Sequence, residues 1–541
     1  MQIWPRLKQF VPCRKIIVPT ISSANAVSKG EGADPAQSEP QTLANAIPPR
    51  IGNGEEFANV RNCLRAIGFD ERSVTTALNI PDISHIPMVD AAAVDGGPAT
   101  PALSAFIELF VLGRTVAAGR LRASCDEQTF AALLALDLVR IARDPRDSVI
   151  CPVWLYPVRG FLIVSDRRTS PAGEVFLNPA EAVFPAHDAG TLQFLRLMPD
   201  AAGGETLDLC GGSGIGALLL ARNGNRAATA DVTARSAHFA AFNAMLNGIA
   251  IDVLQGDLYA PVGGRSFDII TAHPPWVPST GDAMVFRDGG ESGDAIAARV
   301  FAGIPRHLRA GGTAIVVALG RDGSDGAYEQ RVRRWLGEDG RDCDVILGVN
   351  KPISIDEMVG SMRQLHLGGD ADKAQRIAAR LRELGTEKFV HGAVFVRRTA
   401  VVGEPPLRLR MYPDATAADF ERIFAWRERR RLPDFADRLA AARPHLAAGL
   451  EITYRYGSRD GAVVPTSALL SVKRPLAATI QLEAWVARLI ERLSGALTVA
   501  EAFDAARQAG QMPGDFMLTA FVGLVGQMVE RALLDADMSA A

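Results

Sequence analysis

The chain has few of the residue patterns that define whole classes of protein. Its 541 residues contain six cysteines, and no two of them stand in a CxxC or other zinc-ligand spacing. No apolar run reaches the roughly 18 residues that a membrane span needs. These absences argue against a zinc site, a disulfide framework and a membrane span. We therefore expect a cytoplasmic protein with reduced thiols and no bound metal.

Excess charge of either sign is also absent. The formal net charge is −3, and only 7 of the 58 basic residues are lysine. This balance argues against a generally basic nucleic-acid coat, although it says little about one enclosed cleft. The length suggests about three domains.

Composition divides the chain into four segments. Residues 1–54 are rich in Ser, Ala and Pro and predict a disordered tail. Residues 55–198 combine helical patterns with a strand-like stretch around Gly160, which predicts an α+β substrate-recognition domain of winged-helix type without a basic recognition helix. Residues 199–400 predict a central α/β domain, and residues 401–541 a mainly helical C-terminal domain.

Short apolar runs alternate with helix-length patterns after residue 200. The runs are TLDL (206–209), AATA (227–230), IDVL (251–254), FDIITA (267–272) and TAIVVAL (313–319). Strands separated by helices form parallel βαβ units. The predicted fold class of the centre is therefore α/β, a doubly wound Rossmann-like sheet.

A glycine-rich turn follows the first of these strands. Asp208 and Cys210 precede Gly212 and Gly214, which allow a sharp turn and close approach of a ligand, and Asp231 ends the next strand. A carboxylate there can accept hydrogen bonds from ribose hydroxyls. GGSGIGA alone also satisfies a dinucleotide-binding pattern, and a tight turn without any ligand is the simplest alternative.

Two later features favour a different cofactor. Asp257 follows the third strand, and the fourth runs directly into His273, Pro274, Pro275 and Trp276. Ligands of open α/β sheets bind outside the carboxyl ends of the strands, so these features are expected to share one crevice. A hydride-transferring enzyme has no use for a Pro-Pro turn there.

The chain resembles the class I S-adenosylmethionine-dependent methyltransferases, which carry motifs like DLCGGSG, Asp231, GDL and HPPW in this order. These motifs resemble most the branch with an (N/D/S)PP(Y/F/W) motif, which methylates release-factor glutamine or exocyclic amines of ribosomal RNA and DNA. The resemblance covers about residues 200–320. It implies S-adenosyl-L-methionine as cofactor, held by Asp208, Cys210, Gly212, Gly214, Asp231 and Asp257.

The resemblance also assigns HPPW to the methyl acceptor. The first side chain and the following backbone carbonyl would hold the target nitrogen, the prolines would stiffen the turn, and Trp276 would stack on a planar group. His273 departs from the usual first residue. A neutral imidazole can accept one hydrogen bond or act as a general base, so oxygen and carboxylate acceptors stay open. For Cys210, packing is the alternative to a binding role.

Several charged residues outside these motifs are weaker candidates. Arg427, Arg429, Arg430 and Arg431 predict a solvated helix face, as do Arg331, Arg333 and Arg334. The run Asp166–Arg168 is read either as orienting the N-terminal domain over the cleft or as a surface turn. Asp294 and Arg287 flank a glycine-rich loop beyond HPPW that is expected to form a lid.

The sequence therefore predicts an S-adenosylmethionine-dependent methyltransferase acting on a nitrogen of a protein, an RNA or a small molecule. One alternative is a natural-product or amino-acid methyltransferase acting on oxygen, carboxylate or another nitrogen with His273 as base. The other is a non-catalytic binding scaffold, which conflicts with the intact set of carboxylates. The oligomeric state is not predicted.

Overall fold

A computed structural model describes residues 47–89, 99–142, 147–167, 179–279, 284–365 and 369–536. The predicted tail before residue 47 and Arg168 lie outside these ranges. None of the helices in these ranges is long and apolar enough to cross a membrane.

The N-terminal region begins with an efficiently capped helix. Asn53 accepts hydrogen bonds from the backbone of Glu56, whose side chain accepts the backbone N–H of Asn53 in return. The elements of this region are α1 (Gly54–Ala66), α2 (Glu71–Leu78), α3 (Pro101–Phe106), β1 (Val116–Ala117), α4 (Ala118–Arg122), α5 (Glu127–Ala135), β2 (Arg140–Ile141), β3 (Ser148–Ile150), β4 (Val153–Val158) and β5 (Phe161–Asp166). A single turn of π-helix, Ile107–Val111, continues α3.

The elements follow the order expected of a winged helix, but the hairpin in the position of the wing is β2–β3 and not the predicted stretch around Gly160. Helices α4 and α5 stand between β1 and the β2–β3 hairpin, and the three strands form one antiparallel sheet in the order β1-β3-β2. The strand-like stretch around Gly160 forms a separate hairpin, β4–β5, whose six paired residues on each strand are buried. Because consecutive side chains point to opposite faces, burial of all of them means that both faces of the hairpin are covered, and α-helices cover them.

The centre of the chain is the predicted doubly wound sheet. Its elements are α6 (Ala189–Arg196), β6 (Glu205–Leu209), α7 (Ile215–Arg222), β7 (Arg226–Asp231), α8 (Ala234–Asn247), β8 (Asp252–Gln255), β9 (Phe267–Ala272), α9 (Ala295–His307), β10 (Leu308–Gly323), α10 (Tyr328–Leu336), β11 (Cys343–Ser354), α11 (Ile355–Leu365), α12 (Ala371–Glu383) and β12 (Thr386–Arg398). Strands β8, β7, β6, β9 and β10 are parallel, whereas β12 is antiparallel to both β10 and β11. The fold class of the centre is confirmed.

Both faces of this sheet are covered, which explains the continuous apolar runs in its strands. Ile269 and Ile315 lie on the face of the sheet that packs against α7 and α8. Their chain neighbours Ile270 and Val316 point to the opposite face and pack with α9 and α10. Successive side chains thus enter two different cores.

The C-terminal region contains the predicted helices and also strands that the sequence did not reveal. Its elements are β13 (Leu407–Met411), α13 (Ala417–Arg430), α14 (Phe435–Ala441), β14 (His445–Leu446), β15 (Glu451–Arg459), β16 (Ala462–Val472), β17 (Leu476–Glu483), α15 (Ala484–Glu491), α16 (Val499–Gln508), α17 (Leu518–Glu530) and β18 (Leu534–Asp535). Four of these strands extend the central sheet, in the order β11-β13-β17-β16-β15. Residue 400, the expected domain boundary, thus falls between two strands of one sheet.

Ion pairs within this region and to the central sheet bury part of the arginine run, contrary to the expectation of a solvated arginine face. Arg427 is 3% exposed and donates to Glu530 of α17 at 2.7 Å. Arg431 donates to both oxygens of the buried Asp344 in β11 at 2.8 Å. Arg429 is exposed, as predicted. The arginine run alone does not predict these ion pairs, because the acidic partners lie about 100 residues away in the chain.

Candidate active site

Strand register brings the predicted motifs to one edge of the sheet. Leu209 at the end of β6 pairs with Ala230 of β7 and with Ala272 of β9. Asp231 pairs in turn with Gln255 of β8. The residues that follow these strand ends, including Cys210 and His273, therefore line the carboxyl edge, as predicted.

The glycine-rich turn has one crowded side and one open side. An added Cβ at Gly211 would meet Thr229 Oγ1 at 1.8 Å, and one at Gly214 would meet the Ala240 Cβ at 2.9 Å. Gly212 has φ +53°, and a Cβ there would meet nothing within 4 Å. The open side at Gly212 is therefore the side on which a ligand can approach the backbone.

Asp231 is tied to this turn by its carboxylate. Its Oδ2 accepts the N–H of Gly212 at 3.0 Å, and its Oδ1 accepts the N–H of Thr233 at 3.1 Å. A carboxylate has about four acceptor sites, so both oxygens keep capacity for further donors. The half-buried side chain is suited to two neighbouring hydroxyl groups.

Asp208 lies beneath the turn and does not face its open side. The side chain is 1% exposed, and its Oδ1 accepts the hydroxyl of Thr271 at 2.8 Å. Burial, partly offset by that hydrogen bond, raises the pKa of Asp208 to about 7. This arrangement makes Asp208 a support for the turn, because an added Cβ at Gly216 would meet its carboxylate at 2.5 Å.

Cys210 and Asp257 lie at the same edge in different surroundings. Cys210 has φ +56°, where glycine is usual, and burial raises the pKa of its thiol, so it is not a thiolate nucleophile. Asp257 forms an ion pair with Arg299 at 2.6 Å, and both side chains are about half exposed. Asp257 therefore lies at the solvent rim.

His273 packs against α6, the helix that precedes the first strand of the central sheet. Its ring stacks on Phe194 of α6 with a centroid separation of 5.5 Å and an interplanar angle of 29°. Burial, with a smaller contribution from His391, lowers the pKa of His273 to about 4. The imidazole is therefore neutral at pH 7 and can accept a hydrogen bond.

Trp276 lies at the other end of the HPPW turn and contacts a residue that sequence reasoning missed. The indole and the ring of His391 in β12 meet edge to face at 5.9 Å. Pro274 between the two aromatic residues is buried and Pro275 is half-buried. The turn is thus held between α6 on one side and β12 on the other.

A second missed group joins three elements beside the same turn. The side-chain amides of Gln193 in α6 and Asn350 in β11 exchange hydrogen bonds at 2.7 and 2.8 Å. Asn350 Nδ2 also donates to Nδ1 of His391 at 2.9 Å. No motif announces these residues, since each lies within an ordinary helix or strand pattern and only the fold brings them together.

The glycine-rich loop after HPPW is fastened to the turn and to the sheet. Val277 and Arg287 are joined by a backbone hydrogen bond of 2.9 Å, and an added Cβ at Gly289 would lie 2.8 Å from the Trp276 Cα. Asp294 pairs with Arg331 at 2.5 Å, and neither side chain is more than 7% exposed. The expectation of a solvated Arg331 is wrong, because its guanidinium anchors this loop. Residues 280–283 lie outside the described ranges.

Hairpin β4–β5 is docked on α8 through two asparagines. Asn243 accepts the N–H of Val164 at 2.8 Å and donates to its carbonyl at 3.0 Å, and Asn247 makes the same pair with Leu162. Asn243 also donates to the carbonyl of Ser213 in the glycine-rich turn at 2.9 Å. One side chain therefore connects the N-terminal hairpin to the turn.

Comparison with known proteins agrees with this geometry. Residues 176–335 match the family model of the methyltransferase small domain. The matched segment contains the glycine-rich turn, Asp231 and the HPPW turn. The predicted S-adenosylmethionine-dependent class and its cofactor are confirmed at this level.

Curated relatives are similar over a part of the chain. A ribosomal protein uL3 glutamine methyltransferase from Bradyrhizobium diazoefficiens is 30% identical over 26% of this chain and 49% of its own length. A release factor glutamine methyltransferase from Geobacter sulfurreducens is 28% identical over 36% and 75%. A methyltransferase structure from Pyrococcus furiosus aligns with 38% of this chain and 79% of its own, at 16% identity and a TM-score of 0.24. The chain spans about half the length of the first of these relatives.

The residues at the edge fit S-adenosylmethionine. The open side of the turn at Gly212 leaves room that a side chain would fill, and Asp231 retains acceptor capacity for ribose hydroxyls. No group of three or more His, Cys, Asp or Glu with metal-ligand geometry occurs among the described residues.

Proposed function

We propose that this protein transfers a methyl group from S-adenosylmethionine to a nitrogen atom of its acceptor, either an amide or an exocyclic amine. The observation that carries this proposal is the register of β6 and β9. Because Leu209 pairs with Ala272, the glycine-rich turn and the HPPW turn begin side by side. A cofactor on the first turn and an acceptor on the second would be neighbours.

The chain's own residues would do the binding and orienting. When bound, S-adenosylmethionine supplies an electrophilic methyl group on a sulfonium sulfur. Asp231 would accept the ribose hydroxyls, and the backbone at Gly212 would leave space for the cofactor. Asp257 at the rim would meet the adenine amino group, in exchange for part of its contact with Arg299. Asp208 would hold the turn from below.

His273 would position the acceptor rather than deprotonate it. A neutral imidazole accepts one N–H of the target nitrogen, which directs the nitrogen lone pair towards the methyl group. A group whose conjugate acid has a pKa of about 4 is a weak base at neutral pH. This weakness disfavours the alternative of an oxygen or carboxylate acceptor with His273 as base.

The acceptor would come from the protein and RNA components of translation. The relatives are named for glutamine of ribosomal protein uL3, for release-factor glutamine and for small-subunit ribosomal RNA. Residues 55–198 would help to select it, because α6 brings Phe194 and Gln193 directly to the HPPW turn. Such an acceptor would place the enzyme in the cytoplasm.

Transfer of a tritiated methyl group into a cell extract tests this proposal. The extract should come from cells that lack the gene, because sites that are already methylated cannot accept label. We expect label in the protein or RNA fraction and its loss with Asp231→Ala. His273→Ala should reduce turnover at least about tenfold while the affinity for S-adenosylmethionine stays within about twofold. Label confined to small molecules, or full turnover by His273→Ala, would refute the proposed acceptor class or the proposed role of His273.

A further inference from the structure

The carboxyl edge continues beyond HPPW into a histidine that no motif includes. In β10, Val316 pairs with Ala272 and Leu319 pairs with His391. His391 therefore lies three residues further along the sheet in the direction in which β9 leads into HPPW. Its edge-to-face contact with Trp276 places the imidazole beside the proposed acceptor position.

Asn350 lies at an irregularity that redirects its side chain. The β11–β12 pairing shifts by one residue here, since Val349 pairs with Gly392 and Lys351 pairs with His391. An extra residue of this kind leaves the ladder and bends the strand, a feature often found beside active sites. At this bulge Asn350 reaches both Gln193 and His391.

With the Gln193 and Asn350 amides oriented as they are, the hydrogen bonds assign the proton of His391 to one imidazole nitrogen. Gln193 Oε1 accepts one N–H of Asn350, and His391 Nδ1 accepts a hydrogen bond from the same amide nitrogen. A neutral imidazole that accepts at Nδ1 carries its proton on Nε2. Among the described residues, His391 Nε2 has no hydrogen-bond partner, so this N–H is available to a ligand.

We propose that His391 is a second acceptor-binding residue, which donates a hydrogen bond from Nε2 to an oxygen or ring nitrogen adjacent to the methylated nitrogen. Gln193 and Asn350 are positioning residues that fix its tautomer. This inference rests on the proposed function and adds a donor to the acceptor supplied by His273. Together the two imidazoles would recognise a planar group that carries an N–H donor beside an acceptor atom.

The pairing of opposite polarities has a consequence for selectivity. An amino group flanked on both sides by further N–H donors would leave the His391 N–H facing a donor, and the unpaired N–H would weaken binding of such an acceptor. A planar amide, or a base with an acceptor atom next to its amino group, satisfies both imidazoles. His391 is therefore expected to determine which acceptors are methylated and to leave the affinity for the cofactor unchanged.

The tautomer can be measured without any acceptor or activity. Nitrogen-15 NMR of histidine-labelled protein distinguishes an Nε2–H from an Nδ1–H imidazole, with His391→Gln used to assign the signal. We expect the Nε2–H form at pH 7 in the native protein. Asn350→Asp replaces the donor by an acceptor and should convert His391 to the Nδ1–H form or to the protonated form. An Nδ1–H signal in the native protein would overturn the positioning role.

The binding role is tested by two substitutions of similar size. His391→Phe keeps a planar ring without a donor, whereas His391→Gln retains an N–H donor at a comparable distance. With the extract fraction that takes up label as acceptor, we expect kcat/KM to fall at least about tenfold for His391→Phe and substantially less for His391→Gln. Affinity for S-adenosylmethionine should stay within about twofold in both variants.

The outcomes separate this inference from the proposed function. Equal kcat/KM for the native protein and His391→Phe, or a parallel loss of cofactor affinity, would overturn the binding role of His391 alone. If no fraction takes up label from the native protein, the proposed function fails. The NMR result then still decides whether Gln193 and Asn350 fix the tautomer.

Discussion

The carboxylate of Asp166 and the guanidinium of Arg235 form a two-point ion pair, with N–O distances of 2.7 and 2.5 Å. Asp166 ends hairpin β4–β5, and Arg235 lies in the first turn of α8, four residues after Asp231. Their side chains are 6% and 8% exposed. The N-terminal hairpin is thus joined to the carboxyl edge of the sheet by a buried charge pair, which supports the orienting interpretation of Asp166 over a surface turn.

Loss of this pair should destabilise the protein strongly. Asp166→Asn leaves the Arg235 charge buried without its partner, and we expect the free energy of unfolding to fall by about 3–5 kcal/mol. Urea unfolding measures the change. Glu451→Gln removes an exposed pair with Lys473 and should cost less than about 1 kcal/mol. Equal effects of the two substitutions would contradict the importance of the buried junction.

The open side of the glycine-rich turn gives a prediction about cofactor binding. Gly212→Ala places a methyl group where nothing in the chain lies within 4 Å, so its structural cost is the strain of a left-handed residue, about 1–2 kcal/mol. The methyl group would occupy the cofactor's space, and affinity for S-adenosylmethionine should fall more than about tenfold.

Gly510 offers a matched control for that substitution. It has φ +64°, an added Cβ there also meets nothing within 4 Å, and it follows α16 in the C-terminal region. Gly510→Ala should carry a similar strain and leave cofactor affinity unchanged. If both variants bind S-adenosylmethionine like the native protein, the cofactor does not approach the turn at Gly212.

The two imidazoles predict how stability depends on pH. Burial lowers the pKa values of His273 and His391 to about 4, below the ordinary value of 6.5. The unfolded chain therefore binds more protons between pH 6.5 and 4, and this contribution to stability is full above pH 6.5 and lost as the pH falls towards 4. Between pH 7 and pH 5, the melting temperature of the double variant His273→Asn/His391→Asn should fall less than that of the native protein. An unchanged difference would contradict the burial of these two rings.

The raised pKa of Asp208 predicts that the stability of the protein falls as the pH rises, which is opposite to the effect of the two histidines. This pKa is raised to about 7 from 3.8, so the folded protein retains a proton that the unfolded chain releases. Stability contributed by the protonated carboxyl is lost as the pH rises from about 4 through 7, with a total of roughly 4 kcal/mol. Asp208→Asn cannot ionise, and its melting temperature relative to the native protein should rise between pH 5 and pH 8.5. A constant difference would show that Asp208 is ionised throughout.

Motifs and periodicity predicted the central fold because its strands carry their own signals. Continuous apolar runs such as AIVVAL (314–319) indicate strands buried on both faces, and Gly212, Asp231 and HPPW lie at or just after strand ends at which parallel strands align. The convergence of the motifs on one edge was therefore predictable. The C-terminal extension of the sheet was not predictable as far as its edge. Its outermost strand, β15, has exposed charged residues and few buried apolar ones.

Contacts between distant segments were the other part that sequence reasoning could not reach. Gln193 and Asn350 are 157 residues apart, and Arg427 and Glu530 are 103 apart. Each residue alone resembles an ordinary surface or core position. Only the docking of α6 against the sheet and of α17 against α13 gives these side chains their partners.

Calorimetric titration with S-adenosylmethionine tests the central claim most directly, and three proteins suffice. The native protein should bind in the micromolar range. Asp231→Ala removes the carboxylate that holds Gly212 and should abolish detectable binding. Asp252→Ala removes an exposed carboxylate at the start of β8, at the opposite edge of the sheet, and should bind normally. No binding by the native protein, or undiminished binding by Asp231→Ala, would contradict the account.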